Sequence, residues 1–245
     1  MSVEGVSLIF PCRNRLEFTR QSWAALMQNT DWSLVSEFHV YDDGSTDGTR
    51  EWLRPGGGAW AYGDPIGYLC AQHHDTEFHS PMGVTIDWIK RSQAPILAKL
   101  DNDTIYPPGW LNVALDVMER HPELDMLGLE AMRAIAPIGG NTVHDYLPAQ
   151  FISGLGLYRR AAFADQLPVD GGYFGLEEFQ MQTAGLTAGW ILPSLPVFLL
   201  DRMPMEPWRS LSEEYVRKSW QRPWSLDLRY RPEESDKWSW WKAIE

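Results

Sequence analysis

The stretch that decides the fold runs from Phe38 to Ser45 and reads FHVYDDGS. Its first four residues are mostly aromatic or β-branched and predict a buried strand over 38–41. The cluster that follows is rich in turn-forming residues, so the strand is expected to end at Asp42. A carboxylate at that point can accept a hydrogen bond from a nucleobase or a ribose hydroxyl. Taken by itself, the cluster is also explained by an Asp-Gly turn followed by a capping Ser or Thr.

The same arrangement occurs at two other places in the chain. Val6–Phe10 predicts a buried strand that ends at Pro11 before the polar loop 13–15, and an apolar strand over 95–100 ends at residues 101–103. Strands alternate with helices, which predicts an α/β fold around a Rossmann-like, mostly parallel sheet flanked by helices. Ligands of such sheets bind at the carboxyl ends of strands, so the three polar clusters predict one shared pocket. Helices are predicted at about 17–28, from 46 or 47 to 53, at 82–92 and at 110–119, a further strand at 126–129, and a helix-like segment at 176–186.

Length and composition restrict the possible functions. The chain has 245 residues, 44% of them hydrophobic, which suits one large domain with a short extension. A formal net charge of −12 argues against a broad electrostatic hold on nucleic acid or anionic membranes. Cys12 and Cys70 lie far apart, so neither a disulfide framework nor a cysteine-rich zinc site is expected. No basic leader or apolar stretch of spanning length is present, so the expected location is the cytoplasm, or the host cytoplasm for a viral chain.

The tripeptide Asp101-Asn102-Asp103 predicts a metal site. Two carboxylates two residues apart, directly after a buried strand, can point into one pocket where the backbone bends. Hard divalent cations prefer oxygen ligands, and a bound Mn²⁺ or Mg²⁺ would stabilise a nucleotide diphosphate as a leaving group. A solvated acidic turn is the alternative explanation of D-x-D taken alone.

Several motifs, in this order, resemble glycosyltransferase family 2. Residues 10–15 (FPCRNR) and 41–49 (YDDGSTDGT) are similar to the P-x-x-N-R loop and the D-D-G-S-T-D-G-T run of that family, and residues 100–103 (LDND) to its D-x-D motif. Residues 153–160 and the GLEE at 175–178 resemble its acceptor side, which ends in an acidic pair. The resemblance covers about residues 5–200 and would make the chain a viral or bacterial member.

The resemblance implies a GT-A fold, a nucleotide-diphosphate sugar donor with UDP-sugars as leading candidates, a Mn²⁺ or Mg²⁺ cofactor, and inversion at the anomeric carbon. It implies that Asp103 and Asp101 bind the metal and that Glu178 is the general base, with Glu177 as its rival. Such a base takes the proton of the attacking acceptor hydroxyl. The alternative role of both glutamates is to supply negative charge at a helix N-terminus. The implied donor-binding residues are Pro11, Arg13, Asp42, Asp43, Asp101 and Asn102.

The chain departs from the family pattern at three places. The family's Arg-Asn-x-Gly segment corresponds to Ser80–Gly83, which has no arginine, and Lys99 or Lys90 could substitute. Asp201 is a candidate third metal ligand, although an Asp–Arg surface pair with its neighbour is the alternative. Gln180 stands where an acid is common in the family, and little consequence is expected from that change.

The predicted domain boundaries follow from these motifs. Residues 1–201 are expected to form the glycosyltransferase domain, with a nucleotide-binding half at 1–130 and an acceptor half at 131–201. Residues 202–245 form a Trp- and Arg-rich extension that is expected to pack on the domain, the alternative being an exposed binding surface. The run from His73 to Asp75, with His79, is interpreted as a polar loop, because no second ligand group accompanies it.

The predicted function is a metal-dependent, inverting transfer of a sugar from a nucleotide-diphosphate sugar to a hydroxyl on a glycan, a lipid-linked saccharide or a protein. One alternative is a glycosyltransferase that acts on a hydroxymethylated base in viral DNA. Another is a non-catalytic module that binds a nucleotide or a glycan. A nucleotidyltransferase is disfavoured, because no Gly-rich phosphate loop follows the first strand.

Overall fold

The computed structural model describes residues 5–59, 71–129, 145–149, 151–152, 154–168, 176, 179–180, 183–191 and 198–199. Helices and strands alternate over most of the described part of residues 5–129, as the sequence predicts. The helices are α1 (Leu16–Asn29), α2 (Thr49–Leu53), α3 (Pro81–Arg91) and α4 (Trp110–Arg120). The strands are β1 (Val6–Cys12), β2 (Val35–Asp43), β3 (Ala71–Thr76), β4 (Ile96–Lys99), β5 (Thr104–Ile105), β6 (Met126–Gly128), β7 (Tyr146–Ala149), β8 (Gly156–Arg159), β9 (Ala188–Ile191) and β10 (Phe198–Leu199).

Eight strands form one mixed sheet in the order β3-β2-β1-β4-β8-β6-β9-β7, and β10 pairs with β5 in a separate two-stranded sheet. The pairs β3–β2, β2–β1, β1–β4 and β6–β9 are parallel. The pairs β4–β8, β8–β6 and β9–β7 are antiparallel. The prediction of a mostly parallel sheet is therefore confirmed for the half that contains β1 to β4, where the polar clusters lie.

Apolar residues cover both faces of this sheet. Alternate residues of a strand point to opposite faces, and β1 follows this rule. Leu8 and Phe10 belong to one buried cluster together with residues of α1 and α4. Ile9 belongs to a second cluster together with residues of α3. Because helices lie over both faces, most positions of the interior strands β1, β2 and β4 are buried, and their sequences are rich in apolar residues. None of the described helices is long and apolar enough to cross a membrane.

Two predicted strand ends are wrong. β1 continues through Pro11 to Cys12, where the sequence predicts a stop at the proline. Beyond Ile9 the strand pairs only with β2, so the N–H that Pro11 lacks is not required by a β4 neighbour. β2 likewise continues through Asp42 and Asp43, and the turn begins at Gly44, which has a φ of 79°. The two aspartates are therefore strand residues and do not belong to the turn.

The predicted polar loop at His73–Asp75 is also wrong, because these residues lie in β3, the edge strand beside β2. Nδ1 of His39 lies 3.2 Å from Nε2 of His74, and the His74 ring stacks on Tyr41 with a centroid distance of 4.4 Å. Burial, followed by the charges of His39 and Arg91, lowers the pKa of His74 to about 4. Polar side chains with partners inside the protein thus form a strand that its composition did not indicate.

The helix bounds agree with the sequence to within about two residues, with one exception. Leu176, Phe179 and Gln180 are helical, but residues 183–186 are not, so the predicted helix does not reach residue 186. Thr183 still donates a backbone hydrogen bond to Phe179, but Gly185 has a φ of 85° in a turn. A glycine in the left-handed conformation is a common helix end. The predicted boundary at 201 and the extension 202–245 lie outside the described residues.

Candidate functional site

The loop after β1 is bonded to the loop after β2. Asn14 and Arg15 both have left-handed backbone conformations, with φ values of 59° and 68°. The backbone N–H of Asn14 donates to Ser45 Oγ at 2.7 Å, and Thr46 N donates back to Asn14 Oδ1 at 2.8 Å. Two such bonds between loops 31 and 32 residues apart fix the first polar cluster against the second. A left-handed asparagine is tolerated where its side chain bonds locally in this way.

The same loop is bonded to the D-x-D segment. Nη1 of Arg15 lies 2.7 Å from Oδ2 of Asp103, and only 12% of either side chain is exposed. Nδ2 of Asn102 donates to Thr19 Oγ1 at 2.9 Å, in the first turns of α1. The three polar clusters therefore meet at one edge of the sheet, as their positions after parallel strands predicted. Their meeting is confirmed, whereas the individual donor-binding roles stay predictions.

Asp42 lies beneath this edge with no exposed surface. Its Oδ2 accepts hydrogen bonds from Ser45 N at 3.1 Å and from Arg50 Nε at 2.8 Å. Among the described residues, no group donates a hydrogen bond to its Oδ1. The carboxylate thus holds the turn and the first turn of α2 in place. Direct contact between Asp42 and a nucleotide sugar would require the loop above Asp42 to open.

Asp43 is the anchor of the segment that leads into α3. Its Oδ1 accepts from Thr76 Oγ1 and from His79 N, each at 3.1 Å, and its Oδ2 accepts from Ser80 N at 2.9 Å. Ser80 is the N-cap of α3 and accepts from Gly83 N. The start of the Ser80–Gly83 segment is therefore held directly against the end of β2 through this carboxylate.

The other predicted donor-binding residues differ in exposure. Pro11 is half-buried in β1, and Arg13 is exposed at the tip of the loop. Asn102 is half-buried, and its amide nitrogen bonds to α1 and, at 3.4 Å, to the carbonyl of Asn14. Arg13 and Pro11 can therefore present surface to a ligand, whereas the Asn102 amide nitrogen holds the D-x-D turn against the loop after β1.

Each D-x-D carboxylate has its own basic partner. Nζ of Lys99 donates to Asp101 Oδ1 at 2.7 Å, and Arg15 pairs with Asp103. The Asp101 side chain is 36% exposed, so a ligand can approach it. Tyr106 completes the turn, since its hydroxyl accepts from Asp101 N at 2.9 Å, and burial holds the pKa of that phenol well above its usual range. The four charges of these two pairs cancel.

A divalent cation fits the chemistry of this donor set, because Asp101 and Asp103 offer carboxylate oxygens to a hard ion. No group of three or more His, Cys, Asp or Glu side chains with metal-binding geometry occurs in the described part of the chain. Further ligands would have to come from the donor phosphates, from water or from elsewhere in the chain. The candidate third ligand Asp201 lies outside the described residues, as do Glu177 and Glu178.

The described residues on either side of the two glutamates are buried inside the protein. Leu176 and Phe179 are buried in the same apolar cluster as Leu97 of β4. The Gln180 amide, 4% exposed, accepts from Ile152 N at 2.6 Å and donates to Ile152 O at 3.3 Å. An ionised acid could accept from this backbone but could not donate to it. The glutamine therefore pairs with both the N–H and the C=O of Ile152, which an ionised acid at this position could not do.

No role was predicted from the sequence for Arg15, Ser22 or Arg50. The side chains of these residues contact Asp103, the turn at 101–104 and Asp42, respectively. The hydroxyl oxygen of Ser22 lies 2.7 Å from the carbonyl oxygen of Thr104 and 3.1 Å from that of Asp101, so its one hydrogen is shared between these two acceptors. These residues lie in a loop and in two helices where a polar residue is unremarkable. Two signals pointed to Arg15: its position as the arginine of the P-x-x-N-R resemblance, and its place as the second basic residue of Arg13-Asn14-Arg15 next to a predicted acidic pocket.

Solved structures similar to this chain include two of S. aureus TarS and one of a mannosyltransferase. TarS residues 1–349 match with a TM-score of 0.59 at 15% identity over 96% of this chain and 77% of that chain. The same protein in complex with UDP-GlcNAc gives 0.60 at 14% identity over 96% and 78%. PcManGT from Pyrobaculum calidifontis, in complex with GDP-Man and Mn²⁺, gives 0.58 at 13% identity over 77% and 56%. No family model and no curated protein matches the sequence. On these likenesses, the chain shares the fold of TarS and of this mannosyltransferase.

Proposed function

We propose that this chain is a metal-assisted, inverting glycosyltransferase that moves a sugar from a nucleotide-diphosphate sugar to an acceptor hydroxyl. The observation that carries the proposal is the junction of three strand-end clusters at one sheet edge, tied by the 2.7 Å contact between Arg15 and Asp103. It is supported by the similar structures, which hold UDP-GlcNAc in one case and GDP-Man with Mn²⁺ in the other. We infer that the fold is of the GT-A type and that the chain belongs to glycosyltransferase family 2.

The residues at this edge of the sheet are proposed to have different roles. Pro11 and Arg13 are proposed to face the nucleobase, and Asp43 to hold the loop that closes the pocket on the α3 side. Asp101 and Asp103 would hold the cation, which when bound supplies positive charge against the donor diphosphate. Asp42 supports the pocket from below through its bonds to Ser45 and Arg50.

The transfer itself needs a base on the acceptor side. An acceptor oxygen forms a bond to the anomeric carbon while the bond from that carbon to the diphosphate oxygen breaks, and its electron pair leaves with the nucleotide. The acceptor proton passes to a carboxylate, for which we propose Glu178, with Glu177 as the alternative. Both follow Leu176, whose side chain packs on the sheet face beside β4.

Calorimetric titration of the whole chain with UDP, GDP, ADP, CDP and their sugars, with Mn²⁺ and after chelation, tests the donor site. We expect one nucleotide to bind, and more tightly with Mn²⁺. Asp103→Asn should remove the effect of Mn²⁺, whereas Asp116→Asn, an exposed change on α4, should not. Binding of none of these nucleotides to the folded chain would contradict the proposal.

Transfer is tested separately from binding. Glu178→Gln should keep donor binding and remove sugar transfer to acceptors found by screening with the bound donor. Full transfer in Glu178→Gln and its loss in Glu177→Gln would move the base to Glu177. A chain that binds its nucleotide sugar but consumes none, even by hydrolysis and with every acceptor class, would be a binding module and not an enzyme.

A further inference from the structure

Lys99 is a buried ammonium at the carboxyl end of β4, beside the D-x-D segment. The residue is 9% exposed, and its Nζ donates to Asp101 Oδ1 at 2.7 Å. Lysines are almost never this buried unless they are paired. An ammonium has three N–H donors, and the described part of the chain supplies an acceptor for one of them. The Lys99 ammonium thus offers N–H groups next to the predicted pocket for the nucleotide sugar.

Space for this side chain is left by a glycine of the acceptor half. A Cβ built on Gly154 would lie 3.1 Å from Lys99 Nζ and 3.4 Å from its Cε. Any larger residue at position 154 would press on the ammonium. Gly154 lies two positions after Ile152, whose backbone makes two hydrogen bonds with the Gln180 amide. The structure therefore places Lys99 beside a glycine two residues from Ile152, which is hydrogen-bonded to Gln180, close in sequence to the predicted base.

The direction of Lys99 follows from the strand. Side chains two residues apart on β4 point to the same face, so Lys99 lies on the face of Leu97. Leu97 packs in one cluster with Leu176 and Phe179, which flank the predicted base. Asp101 marks the donor side of the pocket. The ammonium consequently lies beside Asp101, on the sheet face that carries the cluster of Leu97, Leu176 and Phe179.

We propose that Lys99 binds the diphosphate of the nucleotide sugar directly. It thereby supplies the positively charged side chain that the Ser80–Gly83 segment lacks. This inference rests on the proposed function. Lys90 does not fit this role, because it is exposed in the last turn of α3. Charge-assisted hydrogen bonds to phosphate oxygens are among the stronger ones in proteins. Lys99 would therefore favour a nucleoside diphosphate over the monophosphate without a metal ion.

The experiment compares affinities for the diphosphate and the monophosphate of the preferred nucleoside by calorimetry in the presence of chelator. We expect the whole chain to bind the diphosphate more tightly. Lys99→Met should reduce that preference on the order of 10- to 100-fold and should leave monophosphate binding unchanged, which also shows that the variant folds. Lys99→Arg should keep part of the preference, and Lys90→Met should keep all of it.

Two failures are distinguishable. If the wild-type chain binds no nucleotide even with Mn²⁺, the proposed function fails. If it binds nucleotides but Lys99→Met keeps the full diphosphate preference, the role of Lys99 is wrong while the proposed function stands. Equal loss of diphosphate and monophosphate binding, with an unchanged thermal midpoint, would also overturn the inference, because it would place Lys99 at the nucleoside and not at the phosphates.

Discussion

Asp43→Asn should destabilise the protein even when no nucleotide is present. The carboxylate is 3% exposed and accepts three hydrogen bonds, from Thr76 Oγ1, His79 N and Ser80 N. An asparagine keeps one acceptor oxygen and turns its NH₂ group against a donor. At least one bond is therefore lost, and the others lose the help of the charge.

The magnitude follows from those bonds. A hydrogen bond to a charged group contributes about 1.5–3 kcal/mol, and a buried donor left unpaired costs about 1–3 kcal/mol. The expected loss for Asp43→Asn is therefore roughly 2–4 kcal/mol. For a domain of this size, each kcal/mol lowers the melting temperature by about 2–4 °C, so the midpoint should fall by on the order of 10 °C.

Urea unfolding followed by circular dichroism, without nucleotide, measures this loss. The matched control is Asp116→Asn, where the same chemical change removes an exposed pair with Arg120 on α4. Exposed pairs contribute about 0–1 kcal/mol, so the control should unfold close to the wild type. If Asp43→Asn unfolds within about 0.5 kcal/mol of that control, the side chain does not anchor the α3 segment. Its role would then be ligand contact alone.

Three further predictions concern other parts of the molecule. His74→Phe should flatten the acid dependence of stability: the folded-state pKa of about 4 lies below the unfolded value, so stability falls as the pH drops from about 6.5 towards 4. Equal losses of urea midpoint between pH 7 and pH 5 in both proteins would contradict this. Gly128→Ala should lower the melting temperature, because the new Cβ would lie 2.3 Å from the buried ring of Trp190; an unchanged midpoint would refute the clash. Arg15→Met should tighten Mn²⁺ binding without nucleotide, as measured by electron paramagnetic resonance, because the guanidinium on Asp103 competes with the cation; weaker binding would mean that Arg15 instead orients the carboxylate.

The pattern of strands and polar strand ends could be predicted from the sequence because it is local. An apolar run followed by Asp, Gly and Ser is decided by neighbouring residues, and the alternation of strands and helices then places those ends at one edge. The predicted helices were confirmed at nearly the same bounds for the same reason, since periodicity and turn residues act within a few positions. The exceptions are instructive. Pro11 stays in β1 because β4 ends at Lys99, opposite Ile9, and so does not pair with Pro11. This depends on the register of the two strands and not on composition.

What the sequence by itself determined is the α/β class of the fold and the acidic residues that follow its apolar strand runs. Only the tertiary structure decided which groups the described ones among these acidic residues contact. Asp43 is committed to the α3 segment, and the D-x-D carboxylates meet Arg15 and Lys99, the first across 88 positions of the chain. Such pairings depend on how loops from distant strands close on one another. The conformation of the β3 histidines was likewise decided by the tertiary structure. Their polar run forms a strand because β2 supplies its hydrogen bonds and ring contacts.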